Sequence, residues 1–579
     1  MADTESYPPI DPTNFDLIVV GTGLPESIIA AAASTAGKTV LHLDPNPFYG
    51  SHYSSLTLQD LTSFLHSHSE NPKTNPRQSD TSDHTTTTLD VTTRPLYSDF
   101  EISCYDDSIE EHSRKFNLDL AGPRVLFCAD LAVNLLLKST ANQYVEFKNI
   151  DASYVGDGNG SLMNVPDSKS AVFKDKTLKY SEKNQLNSFF KLVQGHLEAV
   201  KSGGDSVDDG KIISDEDLES PFVVFLDKMK LPPKIKSIIL YAIAMVDYDQ
   251  EGGESCKDIL KTRDGIDRLA LYHSSVGRFP NALGALIYPI YGQGELPQAF
   301  CRRAAVKGCL YVLRMPVVSL LLNKDGGTYR GVKLVSGQEL TSHQLVMDPS
   351  FTITSSSDTL QDVSNVFDLR DVSGKLARGI CITKSSLKPD VSNCLVIYPP
   401  RCKIDAVTVL ITLLKYLEMV SDSGFSLALY PDQATSIRVL QLGSNLAVCP
   451  PDMFVFYISV LCDDTLEGKK LLHAAIDCLF SVRSPGTTDT SSTDQTESTE
   501  VKPALLWSAL FIQDLIEGSM GPVVTTPTPD GNLNYNDLLG ATSKKLYPDD
   551  EFFPETDNTN TDSSDKPEDV DDSEVGQES

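Results

Sequence analysis

Gly21, Gly23, Glu26 and Asp44 are the residues of this chain whose types and spacing come nearest to a reaction site. They follow the apolar run Phe15–Val20 in the stretch FDLIVVGTGLPESIIAAA. In the dinucleotide-binding pattern G-x-G-x-x-G the first glycine makes a tight turn. The second lets backbone approach a pyrophosphate, and the third lets the following helix pack on the strand. Gly21 and Gly23 meet two of these roles. Asp44, at the end of a second strand, stands where an acid holds a ribose hydroxyl. The third glycine position holds Glu26. A carboxylate in the first helical turn satisfies the helix dipole itself, and it repels a pyrophosphate at the same helix end. The spacing predicts the turn and the fold, and leaves two readings of the site: a cofactor enzyme with a damaged fingerprint, or a fold that has lost its anion site. A flavin enzyme also has a late apolar strand running into Gly-Asp, and none is found near the C-terminus.

No other catalytic constellation replaces it. The chain has no G-x-S-x-G, no H-E-x-x-H and no P-loop, and its ten histidines fall mostly in loops. Eleven scattered cysteines, with no C-x-x-C and no Cys/His cluster at zinc spacing, give no metal site. Their odd count, and the absence of an export signal, point to a reducing compartment. No run of about 18 apolar residues predicts a membrane span. The net charge of −31 over 579 residues argues against nucleic acid and anionic membrane surfaces as partners. Part of that charge is local: from Asp549 to Ser579 there are thirteen acidic residues and one lysine.

The elements that must position these residues follow from periodicity. Residues 1–14 read as a flexible leader. Phe15–Val20, Leu24–Ala36 and Thr39–Leu43 read as one strand–helix–strand unit. The Ser/Thr/Asn/Asp-rich stretch 66–93 is expected to be a disordered insertion. Leu126–Lys138 has helical spacing. Residues 165–275 form a helical domain, with helices at Gln185–Val200, Phe222–Met229 and Ile235–Val246. The last of these is apolar nearly all round, which marks a buried helix or the wall of a greasy cavity. A turn-rich segment, Ile287–Gly294, leads into a helix at Glu295–Val306. Strands then fill 311–346, with a hairpin at 325–327. A low-complexity loop at 484–500 precedes a helix at Ala504–Leu515, and residues 546–579 form an acidic disordered tail. The expected fold is α/β with an inserted all-α domain: a discontinuous Rossmann-type, FAD-binding-like domain (15–164 and 276–545) plus the helical domain.

Several stretches together carry a resemblance: GTGLPES, then LHLDPNPFYGSHYSSL (Leu41–Leu56), RKFNLDL (Arg114–Leu120), YVEFKN (Tyr144–Asn149) and YPIYGQGELPQAFCRRAAVKG (Tyr288–Gly308). The chain from about residue 15 to 350 resembles the family of Rab GDP-dissociation inhibitors and Rab escort proteins, and LLWSALF (Leu505–Phe511) extends the likeness. The resemblance implies a flavoprotein monooxygenase-like fold that uses no flavin or other cofactor and has no catalytic residues. It implies partners of the Rab small GTPase class, in the GDP form. The length, the insertion after the first strand–helix–strand unit, Gln293 of YGQGE, and EFKN favour the escort branch. That branch binds unprenylated Rabs, presents them to the Rab geranylgeranyl transferase heterodimer, and carries the prenylated product to membranes from the cytosol. The alternative is an inhibitor that recycles prenylated Rabs.

Residue by residue, the resemblance puts a Rab-binding platform on Tyr49, Glu295 and Arg302, with Arg114 and Arg278 on or near the same face. It puts the geranylgeranyl group and the transferase on the helical domain, where Phe222, Phe225, Ile235, Ile239 and Ile243 are the candidates. The chain departs from its relatives at Gln143, where an arginine is common, and at Cys309–Val312, which replaces a Gly/Thr-rich, Met-containing stretch.

Overall fold

A computed structural model describes residues 7–69, 86–156, 161–166, 179–201, 212–251, 257–323, 328–354, 372–400, 433–482, 502–517, 523–540 and 553. The first unit is a strand, β1 (Asn14–Val20), a helix, α1 (Leu24–Thr35), and a second strand, β2 (Val40–Asp44). β1 and β2 are parallel, in register from Leu17 opposite Val40 to Val20 opposite Leu43. Every residue of β2 is buried, as expected of a strand covered on both faces. Parallel strands at Leu310–Leu313 and Glu339–Met347 flank this pair, and Val523–Thr525 adds in parallel to the latter. Antiparallel strands then extend the sheet to nine.

An eight-stranded sheet lies alongside, with long central strands at Val372–Thr383, Phe454–Cys462 and Leu505–Ile516. One face of it carries the helix Thr465–Leu479. The other face shares a core with the helical segments at Tyr180–Lys201, Phe222–Lys228, Pro233–Ser237 and Thr262–Ser275. Ile235 to Val246 is not one regular α-helix. It widens into a π-turn at Ile238–Ile243, and every residue from Ile238 to Val246 is buried.

Three buried arginines tie these layers together through one segment near the C-terminus. Arg124 donates to the carbonyls of Asp530 and Asn534, both at 3.0 Å, and pairs with the Asp530 carboxylate. Arg378 donates to the carbonyls of Ala121 at 2.9 Å and Gly122 at 2.6 Å, and to Gln513 Oε1 at 2.6 Å. Arg438 reaches the Gly531 carbonyl, the Met245 carbonyl at 2.8 Å and Asp247 at 2.7 Å. Buried guanidinium groups are tolerable only when most of their donors are matched; here the terminal nitrogens are, while the Nε of Arg124 and of Arg438 has no partner among the described residues.

Four further expectations change. Leu505–Ile516 is a strand, not a helix, paired on both sides. The helix near 126–138 starts only at Leu131, after a short strand at Leu126–Phe127, because Asp130 caps it by accepting from the Ala132 amide. The insertion 66–93 is structured at both ends: the helix Leu58–Ser69 covers its start. Thr86–Thr93 is a strand between Val317–Asn323 and Phe351–Thr354. Residues 70–85 lie outside the described residues. The leader is pinned at Ile10, whose backbone amide and carbonyl both bond the Gln338 amide side chain, at 2.9 and 2.7 Å. Residues 1–6, 483–501 and the tail apart from Phe553 lie outside the described residues.

Candidate functional site

The opening turn is closed by the protein's own side chains. Glu26 is 1% exposed, and its Oε1 accepts from the Thr526 hydroxyl. Burial, then the charge of Asp348, push its carboxyl up to about 8. Glu26 is therefore neutral at pH 7, contrary to the expectation of an anion spent on the helix dipole. A Cβ on Gly23 would stand 2.4 Å from Glu26 Oε2, and one on Gly21 would stand 2.5 Å from Asp348 Cβ. The space the two glycines provide is thus taken up by carboxyl side chains of this chain.

Asp44 is committed in the same way. Its Oδ2 accepts from the Thr22 amide at 2.8 Å, the Thr22 hydroxyl at 2.6 Å and the Ser51 hydroxyl at 3.0 Å, and its Oδ1 accepts from the Asn46 amide at 2.8 Å. Asp348 pairs with His52 at 3.1 Å and accepts from the Ser350 amide and hydroxyl. Burial opposes its charge, but His52 and Ser350 outweigh that and hold the carboxyl below its ordinary range. A dinucleotide does not fit this turn: its pyrophosphate would meet Glu26, and its ribose would have to displace Thr22 and Ser51 from Asp44.

A second Gly-x-Gly turn, Gly292-Gln293-Gly294, starts the helix Glu295–Val306, which packs on α1. One buried carboxylate holds this turn. Asp119 accepts from the Ser55 hydroxyl at 2.6 Å, the Gln293 amide at 2.9 Å and the Tyr288 hydroxyl. Its own amide donates to the Tyr457 hydroxyl at 2.9 Å. Burial pushes the Asp119 carboxyl up to about 6, against the pull of those donors. A Cβ on Gly292 would fall 2.4 Å from Ser55 Oγ and 2.7 Å from Asp119 Oδ1, and the residue has φ +106, so only glycine serves here. Gln293 extends the network, donating to the Arg124 carbonyl at 3.0 Å and accepting from Tyr535 at 2.9 Å.

On this base the outward face of the helix carries two of the expected residues, Glu295 and Arg302, while Tyr49 lies beside Tyr311. Tyr49 is half-buried, with its ring 6.1 Å from that of Tyr311, edge to face. Glu295 is half-buried. Desolvation raises its carboxyl above the ordinary range, and Arg302, two turns along, draws it back. Arg302 is exposed and lies over the Tyr144 ring at 5.8 Å. Gln143, the departure beside it, is exposed and donates to the Thr140 carbonyl at 3.0 Å. Arg114 is exposed on the turn Asp107–Lys115, just before the segment that ends in Asp119. The Arg278 guanidinium donates to the Cys128 carbonyl at 2.7 Å and to Asn134 at 2.9 Å. Phe222, Phe225, Ile235, Ile239 and Ile243 are all buried within one core cluster.

Asp119, Tyr288, Asp348 and Thr526 escaped sequence reasoning. Asp119 and Tyr288 lie within two of the stretches that carried the resemblance, but nothing local marks either as a partner of the other. Among the described residues no helix is long and apolar enough to cross a membrane.

These two helix ends, on a nine-stranded mixed sheet joined to an eight-stranded, mainly antiparallel one and a helical layer, define the class. The chain belongs to the GDP dissociation inhibitor family, whose model matches residues 11–83 and 78–432. It is 54% identical over 570 residues to the Rab escort protein 1 of Arabidopsis thaliana, with 96% of each chain covered. It is 27% identical over 388 residues to the Rab GDP dissociation inhibitor beta of Canis lupus familiaris, covering 66% of this chain and 72% of that one. Among solved structures, a Rab GDI of Plasmodium falciparum has a TM-score of 0.61 at 19% identity, over 92% of this chain and 98% of that one.

Proposed function

We propose that this chain is a Rab escort protein of the cytosol, a binding and presenting subunit with no chemistry of its own. It binds newly made, GDP-bound Rab GTPases and presents them to the Rab geranylgeranyl transferase heterodimer. It then carries the prenylated product to membranes. The observation that carries the reading is the likeness to the Arabidopsis escort protein along nearly the whole of both chains. The weaker and shorter likeness to an inhibitor supports the recycling alternative less.

The mechanism is approximation. The face of the helix Glu295–Val306 holds the globular Rab through Tyr49, Glu295 and Arg302, with Arg114 at its margin. A half-buried Tyr gives a rigid amphipathic anchor, and Arg302 offers a planar, multi-donor group to a carboxylate of the partner. The Rab tail, tethered by that grip, reaches the transferase at raised local concentration. Asp119 positions the turn that aims Glu295. The prenyl group and the transferase fall to the helical layer. Burying a prenyl chain is worth ~0.8 kcal/mol per methylene-sized group, enough in sum to part helices whose residues, such as Ile239 and Phe225, are packed against one another in the free protein.

The test is a reconstituted prenylation: unprenylated GDP-bound Rab, geranylgeranyl diphosphate and the transferase heterodimer, with and without the chain. Transfer that depends on the chain supports the reading. Binding to prenylated Rab alone, with no gain in transfer, moves the protein to the inhibitor alternative.

A further inference from the structure

Tyr49, the anchor of the proposed partner surface, stands on a loop that the sealed turn holds in shape. The loop leaves β2 after Asp44 and meets the turn again at Gly50 and Ser51. The Asn46 amide donates to Asp44 Oδ1 at 2.8 Å, and the Gly50 amide donates to Thr22 Oγ1 at 2.9 Å. The Ser51 hydroxyl donates to Asp44 Oδ2 at 3.0 Å and accepts from the Thr22 amide at 3.0 Å. The Thr22 hydroxyl in turn donates to Asp44 Oδ2 at 2.6 Å. Only Pro47, Phe48 and Tyr49 lie between the fixed amides of Asn46 and Gly50. The backbone just after Tyr49 is left-handed at two successive residues. Gly50 has φ +104, and a Cβ on it would stand 2.9 Å from Ser54 Cα; Ser51 has φ +44 although it carries a side chain. Such backbone persists at a non-glycine residue only where its surroundings over-determine it, and here the bonds to Thr22 and Asp44 do so. A second support runs through rings. Tyr49 meets Tyr311 edge to face, Tyr311 packs on His42 with centroids 4.7 Å apart, and His42 Nε2 donates to the Gly21 carbonyl.

We propose that the degenerate dinucleotide turn is a clamp for the partner anchor: Asp44 and Thr22 are positioning residues that set the Tyr49 loop, and the Gly21–His42–Tyr311 stack supports the Tyr49 ring. The acid that stands where a ribose hydroxyl would be held accepts from Thr22 and Ser51 instead. The Thr22 hydroxyl passes that hold to the amide next to Tyr49. Fixing both ends of a short loop removes, before binding, freedom that association would otherwise have to remove. The positioning role rests on the proposed Rab-binding reading, whereas the clamp itself does not.

Two readouts on the full-length chain separate them. Both compare the wild type with Thr22→Val, which keeps the branched shape and loses the hydroxyl, and with Thr22→Ser, which keeps the hydroxyl. The first is amide hydrogen exchange of Gly50 in the free protein. Exchange ~10-fold faster or more in Thr22→Val, and near the wild-type rate in Thr22→Ser, is expected. Equal protection in all three proteins would overturn the clamp. The second readout is affinity for unprenylated GDP-bound Rab. Thr22→Val is expected to bind about fivefold more weakly, the size of one hydrogen bond, and Thr22→Ser to bind as the wild type does. In a Tyr49→Ala background Thr22→Val costs less than about twofold, because the residue it acts through is gone, whereas in a Glu295→Ala background it keeps its full effect. Equal losses in the two backgrounds, as a merely structural role would give, or unchanged affinity beside a loosened Gly50, would overturn the positioning. Ser51→Ala strips the other hydroxyl from Asp44 and shifts both readouts the same way, which keeps the test open if Thr22→Val does not fold. Failure of the wild type to bind Rab would sink the positioning together with the proposed function, and the exchange result would still decide the clamp.

Discussion

Two helices of this protein start in the same way and end up doing different work. Both α1 and the helix Glu295–Val306 follow a Gly-x-Gly turn, carry a proline and a glutamate near their first turn, and pack against each other. Glu26 of the first is buried, neutral and capped by Thr526. Glu295 of the second faces outward beside an exposed arginine. α1 is buried from Leu24 to Ser34, whereas the second helix leaves Gln298, Arg302 and Val306 exposed. The difference lies in what covers each end. The segment after residue 523 crosses the first turn and seals it. The second turn is buried too, its amides taken by the Asp119 carboxylate and the Ser55 hydroxyl, which prop it from beneath, but Glu295 at its end is left partly exposed. A helix start that suits an anion has become a plug in one place and, on the proposed reading, a partner surface in the other.

The largest way to break this contrast is to remove the prop. Asp119→Ala leaves the Ser55 hydroxyl, the Tyr288 hydroxyl and the Gln293 amide without their acceptor. A loss of about 3 kcal/mol in unfolding free energy is expected, read by denaturant titration, with weaker Rab binding as the second turn loosens. Asp119→Asn, which keeps one acceptor, loses less.

The plug is tested by pH. Glu26 titrates at about 8 in the folded protein, well above its ordinary value. The folded state therefore holds a proton that the unfolded chain has released, and stability falls as pH rises through that window. Asp119 and Asp130 act in the same sense, but they titrate at about 6 and about 7. Between pH 7 and 8 Glu26 dominates the three. Its slope there approaches ~1.4 kcal/mol per pH unit as an upper limit. Glu26→Gln, nearly isosteric and never charged, flattens that part of the stability–pH curve and reduces the fall at lower pH to what Asp119 and Asp130 contribute. An unchanged slope would mean that Glu26 is charged, and that the turn is not sealed as described.

Arg278 sharpens the boundary of the partner surface. Its guanidinium is committed to the Cys128 carbonyl and to Asn134. Arg278→Ala costs about 1 kcal/mol of stability, and Rab affinity measured by titration stays within about twofold. The smallest effect belongs to Gln143. It lies exposed one residue from Tyr144, whose ring carries Arg302. Gln143→Arg adds one exposed cation to the face and tightens Rab binding by about 0.5 kcal/mol at low salt, with the gain lost at high salt.

The local part of this contrast was legible in the sequence. β1, α1 and β2 follow from an apolar run, two glycines and a small-residue helix. Glu295–Val306 follows from its own periodicity and its glycine turn. Leu505–Ile516 was not legible as a strand. It is buried on both faces, so it lacks the alternation that identifies a half-exposed strand, and its apolar run suits a helix equally. The strand Thr86–Thr93 was hidden because a threonine-rich composition reads as loop until partners at Val317–Asn323 and Phe351–Thr354 pair its backbone. Site residues failed for a related reason. Thr526 caps Glu26 from 500 residues away, and Tyr288 meets Asp119 from 169 residues away. No window of sequence holds both members of either pair, so only the fold brings them together.

The central claim is that the open helix end, not the sealed one, carries the function. The most direct test is a calorimetric titration of the full chain with unprenylated GDP-bound Rab, wild type against Glu295→Ala. Saturable binding by the wild type, at least about tenfold weaker in the variant with unfolding free energy unchanged within about 0.5 kcal/mol, is the predicted result. Equal affinity in the two proteins, or no binding by either, would contradict it.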